Sequence, residues 1–527
     1  MAAHTDSTAR TIHTDEPQLS NRSNWNNHVR RHATMQPTNV ALRFQGRSIT
    51  WRELDDRVAR FAGALKERGV GFGDRVLIVM LNRPEYLEAV LAINALGALA
   101  VPVNFRMTPP EVAFLALNSG STIVITDETL TPLVDAVVGQ TDSPPIVITV
   151  GESYERLLAE SEPAAAVDVP DDASALIMYT SGTTGRPKGA VLTHANMQAQ
   201  AFTCIRALQM SETDEVGFCA SPMFHIAALG SLAPSLLLGI TTVIYPVGAF
   251  DPGTLLDVLA AERVTNLFLV PVQWQAMCAE QSRSPRKLAL RVISWGAAPA
   301  SDTVLKAMSA TFPDALNVAV FGQTEMSPIT CVLDGSDALR KIGSVGRVIP
   351  TIAARVVDDE MNDVAQGEIG EIVYRGPTLM RGYWENPDAT ADAFHGGWFH
   401  SGDLVRQDEE GFVFVVDRKN DMIISGGENI YCAEVENVLF SHPRILEAAV
   451  IGRLDDKWGE VPVAVVALHD SQNAPDLTLD ELTVWLGDHL ARFKHPKDLV
   501  IVDALPRNAS GKVLKVSLRK TYSPTPA

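Results

Sequence analysis

Hydrophobic residues recur along the chain at two periods, and the alternation between them sets the expected architecture. After Thr50 and Glu53, which form a capping-box pattern, Leu54, Val58, Phe61 and Leu65 follow at helical spacing. A continuous apolar run over 76–80 reads as a buried strand, and a helix over about 84–96 leads into a second run at 98–103. A third helix precedes the run at 122–126. Strand and helix in strict succession are the grammar of a layered sheet with helices packed on it, so an α/β fold is expected from about residue 25.

Beyond about residue 421 the rhythm shortens. Strands are expected near 448–452, 461–468 and 499–502, with a helix near 479–490, which describes a small α+β unit. Charged and polar residues at 417–421 separate two hydrophobic runs, as a linker between units does. The expected organisation is therefore a loose polar arm over 1–24, a large unit over 25–416, a connecting segment over 417–421 and a small unit over 422–527. At 527 residues the chain is too long for one core, which agrees with this division.

Residues 226–250 carry no charge and are numerous enough to span a bilayer. Gly230, Pro234, Gly239, Pro246 and Gly248 interrupt the run, and 241–245 is β-branched and aromatic, so a buried helix followed by a buried strand is expected instead. The first 24 residues lack the apolar core of an export signal. The five cysteines show no CxxC pair or Cys/His cluster, which fits a reducing, cytoplasmic setting. Peripheral contact with a membrane is compatible with this reading, and a homodimer is the assembly considered. A net charge of −19 argues against a nucleic-acid partner, because such binding depends on a basic surface.

The segment TSGTTGRPKG at 180–189 follows a strand-like run at 175–179. Its glycines let the backbone close around a ligand, Thr180, Ser181, Thr183 and Thr184 offer hydroxyls, and Arg186 and Lys188 bring positive charge. This is the chemistry of a phosphate-gripping loop. It is not a Walker A loop, because Gly189 rather than Ser or Thr follows Lys188, and a strand at 190–192 rather than a helix comes next.

Further segments follow in a fixed order: GAAP at 296–299, FGQTE at 321–325, GEIGEIVYRGP at 367–377, GYWENP at 382–387 and GWFHSGD at 397–403. After these come VDRKNDMIISGGENIYCAEVE at 416–436 and PRNASGK at 506–512. Together they resemble the adenylate-forming superfamily, over roughly residues 25–520. The resemblance implies a large N-terminal AMP-binding domain and a small mobile α+β C-terminal domain. It also implies an AMP-forming acyl-CoA ligase, with ATP and Mg2+ used to make an acyl-adenylate and coenzyme A accepting the acyl group.

On that resemblance, Thr180, Ser181, Gly182, Thr183, Thr184, Gly185 and Lys188 grip phosphate, while Gly296, Ala297 and Ala298 line the adenine pocket. Gln323 and Thr324 approach the nucleotide, and Glu325 helps hold magnesium, since a carboxylate beside phosphates needs a divalent cation between them. Asp403 accepts from the ribose hydroxyls and Arg418 contacts the nucleotide. Lys512 completes the adenylation site as a fixed ammonium between an anionic acid and an anionic phosphate. Ser425, Gly426, Gly427 and Glu428 flank the path of coenzyme A, and Asn420 falls at the hinge, where relatives carry Asp or Lys. Cys432 stands where the family's usual pattern has Pro.

The acid is read from two residues of the same resemblance. His225 lies where acyl-CoA synthetases place a gating histidine beside the carboxylate; the alternative is a core histidine. Trp274 matches a tryptophan that opens a fatty-acyl tunnel in some long-chain ligases; the alternative is a core aromatic. With charges thinning out between Arg206 and Glu262, the texture is similar to FadD-type fatty-acid ligases, and a medium- or long-chain fatty acid is expected. Two other functions are the alternatives: a fatty-acyl-AMP ligase that passes its product to a carrier protein, and a non-catalytic nucleotide- or lipid-binding protein.

Overall fold

The computed structural model describes residues 22–139, 144–180, 187–298, 300–419, 421–426, 428–455, 457–469, 477–487, 489–507 and 513–523. A large N-terminal and a small C-terminal domain make up the fold, with helices packed on mixed sheets. The helix Trp51–Glu67 begins at the predicted capping box, with Thr50 Oγ1 accepting from Glu53 N and the Glu53 carboxylate accepting from Thr50 N. Its apolar stripe, including Leu54, Val58, Phe61 and Leu65, is buried.

Arg75–Val79, Leu99–Pro102, Ile123–Asp127 and Ile146–Val150 form the parallel part of a seven-stranded sheet. Ser174–Thr180 joins it beside Leu99–Pro102, and Lys188–Thr193 and Gly382–Tyr383 extend the edge in antiparallel register. A five-stranded sheet carries Asn266–Leu269, Val292–Gly296 and Leu316–Gly322 in parallel. Four strands from Ala353–Val357 to Val413–Arg418 form an antiparallel sheet. A fourth sheet pairs Val40–Phe44 with Thr241–Ile244, which in turn pairs Val216–Cys219.

The charge-free segment resolves into the helix Ile226–Leu238 and the strand Thr241–Ile244, both largely buried. Gly239 at φ +75° ends the helix, as a left-handed C-terminal residue does. No helix among the described residues is long and apolar enough to cross a membrane. In the C-terminal domain the long hairpin Ile445–Asp455 and Gly459–Leu468 forms the centre of the sheet, and Asp498–Ile501 pairs parallel to it. Its two faces bury separate apolar clusters, one against Cys432–Phe440 and Leu479–Gly487, the other against Lys515–Tyr522.

Candidate active site

Three connections leave the C-terminal ends of strands and supply the predicted nucleotide residues, which is where open α/β sheets bind ligands. Thr180 is the last residue of Ser174–Thr180, opposite Lys188 across the antiparallel pair. Gly296 ends its strand, and its Cα lies so close to the neighbouring strand that an added Cβ would sit 2.1 Å from the Val320 carbonyl oxygen. Ala297 follows at φ +64°, a left-handed conformation that costs a non-glycine residue energy and tends to mark a functional turn. Ala298 is exposed beside it. Gln323, Thr324 and Glu325 follow the strand Leu316–Gly322, with Thr324–Met326 in a single 3-10 turn.

Glu325 is 8% exposed, and its Oε1 accepts from the Thr180 hydroxyl at 3.3 Å and the Tyr383 hydroxyl at 3.1 Å. Lys188 Nζ stands 5.3 Å from the centre of the Tyr383 ring. The hydroxyl at the start of the glycine-rich loop thus meets the acidic residue directly, and the lysine at the loop's end is linked to it through one tyrosine. A buried carboxylate held by neutral hydroxyls, with a cationic lysine one ring away, is a hard-oxygen donor suited to magnesium beside phosphate. Tyr383 carries no sequence signal beyond lying in the GYW segment. Its reach depends on Gly382–Tyr383 pairing with Lys188–Thr193, reinforced by Trp384 N donating to Gly189 O at 2.7 Å.

Asp403 and Arg418 face each other across the antiparallel pair Phe399–Gln407 and Val413–Arg418. Asp403 is 2% exposed, and Arg418 Nε donates to its Oδ1 at 2.7 Å. The Asp403 backbone N–H donates to Ser401 Oγ at 3.0 Å, and the Arg418 Nη1 donates to Ser401 O at 3.3 Å. The arrangement holds a carboxylate and a guanidinium side by side.

His225 is the N-cap residue of Ile226–Leu238. Its Nε2 is buried without a partner among the described residues, and burial with the nearby Arg106 charge lowers its pKa to about 4. The Phe224 ring lies 4.3 Å from its own centre, and Phe105 meets Phe224 edge to face at 5.3 Å. Trp274 is fully buried, donates from Nε1 to Ser294 O at 2.9 Å, and packs edge to face on Phe312 at 5.6 Å. Its neighbours are the apolar residues of the five-stranded sheet's cluster, the setting of a core aromatic.

Ser425 and Glu428 pair across the hairpin Ile423–Ser425 and Glu428–Ile430, with Gly426 between them at φ +62°. A Cβ on Gly426 would lie 2.7 Å from the Trp458 ring. Cys432 opens the following helix, and its backbone N–H donates to Asp417 Oδ2 at 2.5 Å, a bond that proline could not make. Ser181, Gly182, Thr183, Thr184, Gly185, Asn420, Gly427 and Lys512 lie outside the described residues.

Comparison with known proteins matches residues 29–384 to the AMP-binding enzyme family and residues 434–512 to the AMP-binding enzyme C-terminal domain. The chain belongs to the adenylate-forming AMP-binding enzymes. It is 40% identical to a feruloyl-CoA synthase of Amycolatopsis sp over 93% of this chain and 98% of the relative. It is 36% identical to the long-chain-fatty-acid–CoA ligase FadD13 of Mycobacterium tuberculosis over 90% and 94% of the respective chains. Among solved structures, o-succinylbenzoate CoA synthetase (MenE) of Bacillus subtilis, in complex with its acyl-adenylate, superposes with a TM-score of 0.85 at 32% identity. That match covers 94% of this chain and 98% of the other. This AMP-binding enzyme is an acid–CoA ligase that uses ATP, Mg2+ and coenzyme A. Its relatives act on aryl and on alkyl acids alike, so membership alone does not select the fatty acid that the sequence suggested.

Proposed function

We propose that the enzyme activates an aromatic carboxylic acid, with ferulate-like arylalkenoates as the nearest chemistry. The observation that carries this is the run of rings Phe105, Phe224 and His225, in which successive centres are 5.3 and 4.3 Å apart. Rings at such spacings can take a further flat ring in offset or edge-to-face contact, worth about 0.5–1.5 kcal/mol beyond the area it buries. A feruloyl-CoA synthase at 40% identity adds support. Long-chain fatty acids are the second reading, favoured by the uncharged helix Ile226–Leu238 and the likeness to FadD13.

In this reading His225 meets the acid's carboxylate with a neutral imidazole, which donates or accepts without adding a charge at neutral pH. Lys188 and the glycine-rich loop hold the departing pyrophosphate, and Glu325 would hold Mg2+, which supplies charge neutralisation between the phosphates. Asp403 and Arg418 grip the ribose side of the nucleotide. Lys512 then bridges the anionic acid and the α-phosphate, and the hairpin around Gly426 flanks the incoming thiol.

The test is pyrophosphate release with ATP and Mg2+ over hydroxycinnamates, benzoates and graded alkanoic acids, with and without coenzyme A, followed by mass spectrometry. An aryl preference in kcat/KM of about tenfold or more, equivalent to about 1.4 kcal/mol, is expected. The same preference for alkanoates would replace this reading with the second. Acyl-adenylate without any thioester would point to a carrier-protein acceptor.

A further inference from the structure

Asn82 lies in the connection between the strand Arg75–Val79 and the helix Pro84–Ala95, and is 3% exposed. Its Nδ2 donates to Ser221 O at 2.8 Å and to Tyr245 O at 3.2 Å, while its Oδ1 accepts from Met223 N at 2.8 Å. Two carbonyls and one N–H admit only one orientation of the amide. Ser221 and Met223 follow the strand Val216–Cys219, and Tyr245 follows its parallel neighbour Thr241–Ile244. One side chain of the seven-stranded sheet therefore ties down the exits of two strands from another sheet.

The exit of Val216–Cys219 carries His225. His225 N donates to Pro222 O at 2.9 Å, closing a turn that begins at the clamped pair Ser221 and Met223. On its other side, Ala228 N donates to His225 O at 3.1 Å, which binds the residue to its helix. Nε2 of the imidazole has no partner among the described residues, so the ring's place is set by its backbone and by packing on Phe224. Of the two backbone anchors, the helix is generic and the turn depends on Asn82.

We infer that Asn82 is a positioning residue for the acid substrate: by clamping the turn at Ser221 and Met223 it aims His225 at the carboxylate. This rests on the role proposed above for His225. The consequence is specific to one substrate. Removing the amide loosens the acid site, while the nucleotide residues, carried on other strands, stay in place.

The experiment is a double-mutant cycle on the full-length enzyme with Asn82→Ala, His225→Ala and the pair, measuring KM and kcat for the acid and for ATP. Asn82→Ala is expected to lower kcat/KM for the acid about 10–100-fold, as small misplacements of a site do, with the KM for ATP changed less than about twofold. In the His225→Ala background the same change should cost less than about threefold, because coupled residues are not additive. Multiplicative losses in the pair would overturn the inference, as would unchanged acid kinetics in Asn82→Ala. If His225→Ala itself leaves the acid parameters intact, the reading of His225 falls and this inference with it, an outcome distinct from failure at Asn82 alone. Asn82→Asp keeps the volume and the acceptor but removes both donated bonds, and serves where the truncated variant does not fold. Loss of folding in both variants would mark Asn82 as a structural clamp and refute the positioning role.

Discussion

Substitution of Trp274 separates a moving gate from a fixed core side chain. Two things hold the indole: the N–H bond to Ser294 O at 2.9 Å and complete burial against Phe312 and its apolar neighbours. Trp274→Ala removes both, and large aromatic-to-alanine changes in cores cost about 3–5 kcal/mol. Trp274→Phe keeps most of the packing and removes the bond to Ser294 O, a loss of about 0.5–1.5 kcal/mol. The assay is urea unfolding of each variant, reading the transition of the large domain because a two-domain chain need not melt in one step. It is run beside the acid panel. Core packing predicts graded loss of stability in the order wild type, Phe, Ala, with an unchanged ranking of acids among the molecules that remain folded. Wild-type midpoints in both variants together with a shifted chain-length preference would refute the packing argument and restore the gate.

Lys512→Ala is expected to abolish acyl-adenylate formation while leaving transfer from supplied acyl-adenylate to coenzyme A largely intact; equal loss of both half-reactions in a single-turnover assay would contradict the division of labour. His194 gives a pH prediction. It is 2% exposed, neither ring nitrogen meets a partner among the described residues, and burial lowers its pKa from 6.5 to about 4. A folded-state pKa below the unfolded one means that the unfolded chain takes up the proton first. Stability is therefore lost as pH falls from about 6.5 toward 4, by up to about 3 kcal/mol from this residue. In urea melts between pH 7 and 5, His194→Phe should show a shallower loss than wild type, and parallel slopes would count against the assignment.

Much of this enzyme was legible in one dimension because its chemistry is carried by local segments. The capping box at Thr50 and Glu53 appears in the structure because both partners lie within one turn of helix. The uncharged run resolves into helix and strand at Gly239 because only a residue free of Cβ strain turns the chain there at little cost. The glycine-rich loop announced phosphate binding, since close approach to phosphate demands those residue types, and the resemblance of the ordered motifs to the adenylate-forming superfamily implied the reaction class. The acid was less legible. Phe105 and Phe224, proposed above to face it, are far apart in the chain, and no local pattern announces that their rings meet.

By itself, then, the sequence determined the alternating layers and the two-domain organisation, which depend on periodicity, and through the resemblance of contiguous motifs it implied the adenylate-forming chemistry. Tertiary structure alone decided which distant side chains meet. Tyr383 reaches Glu325 because two edge strands pair, and Asn82 reaches Ser221 across 139 positions because two sheets abut. Trp274 is buried for the same kind of reason: its carbonyl partner lies on the strand Val292–Gly296 and its aromatic neighbour Phe312 directly after the helix Asp302–Thr311. Hydrogen bonds and packing act over a few ångströms of space, and strand order, which the linear chain does not state, sets which residues fall within that range.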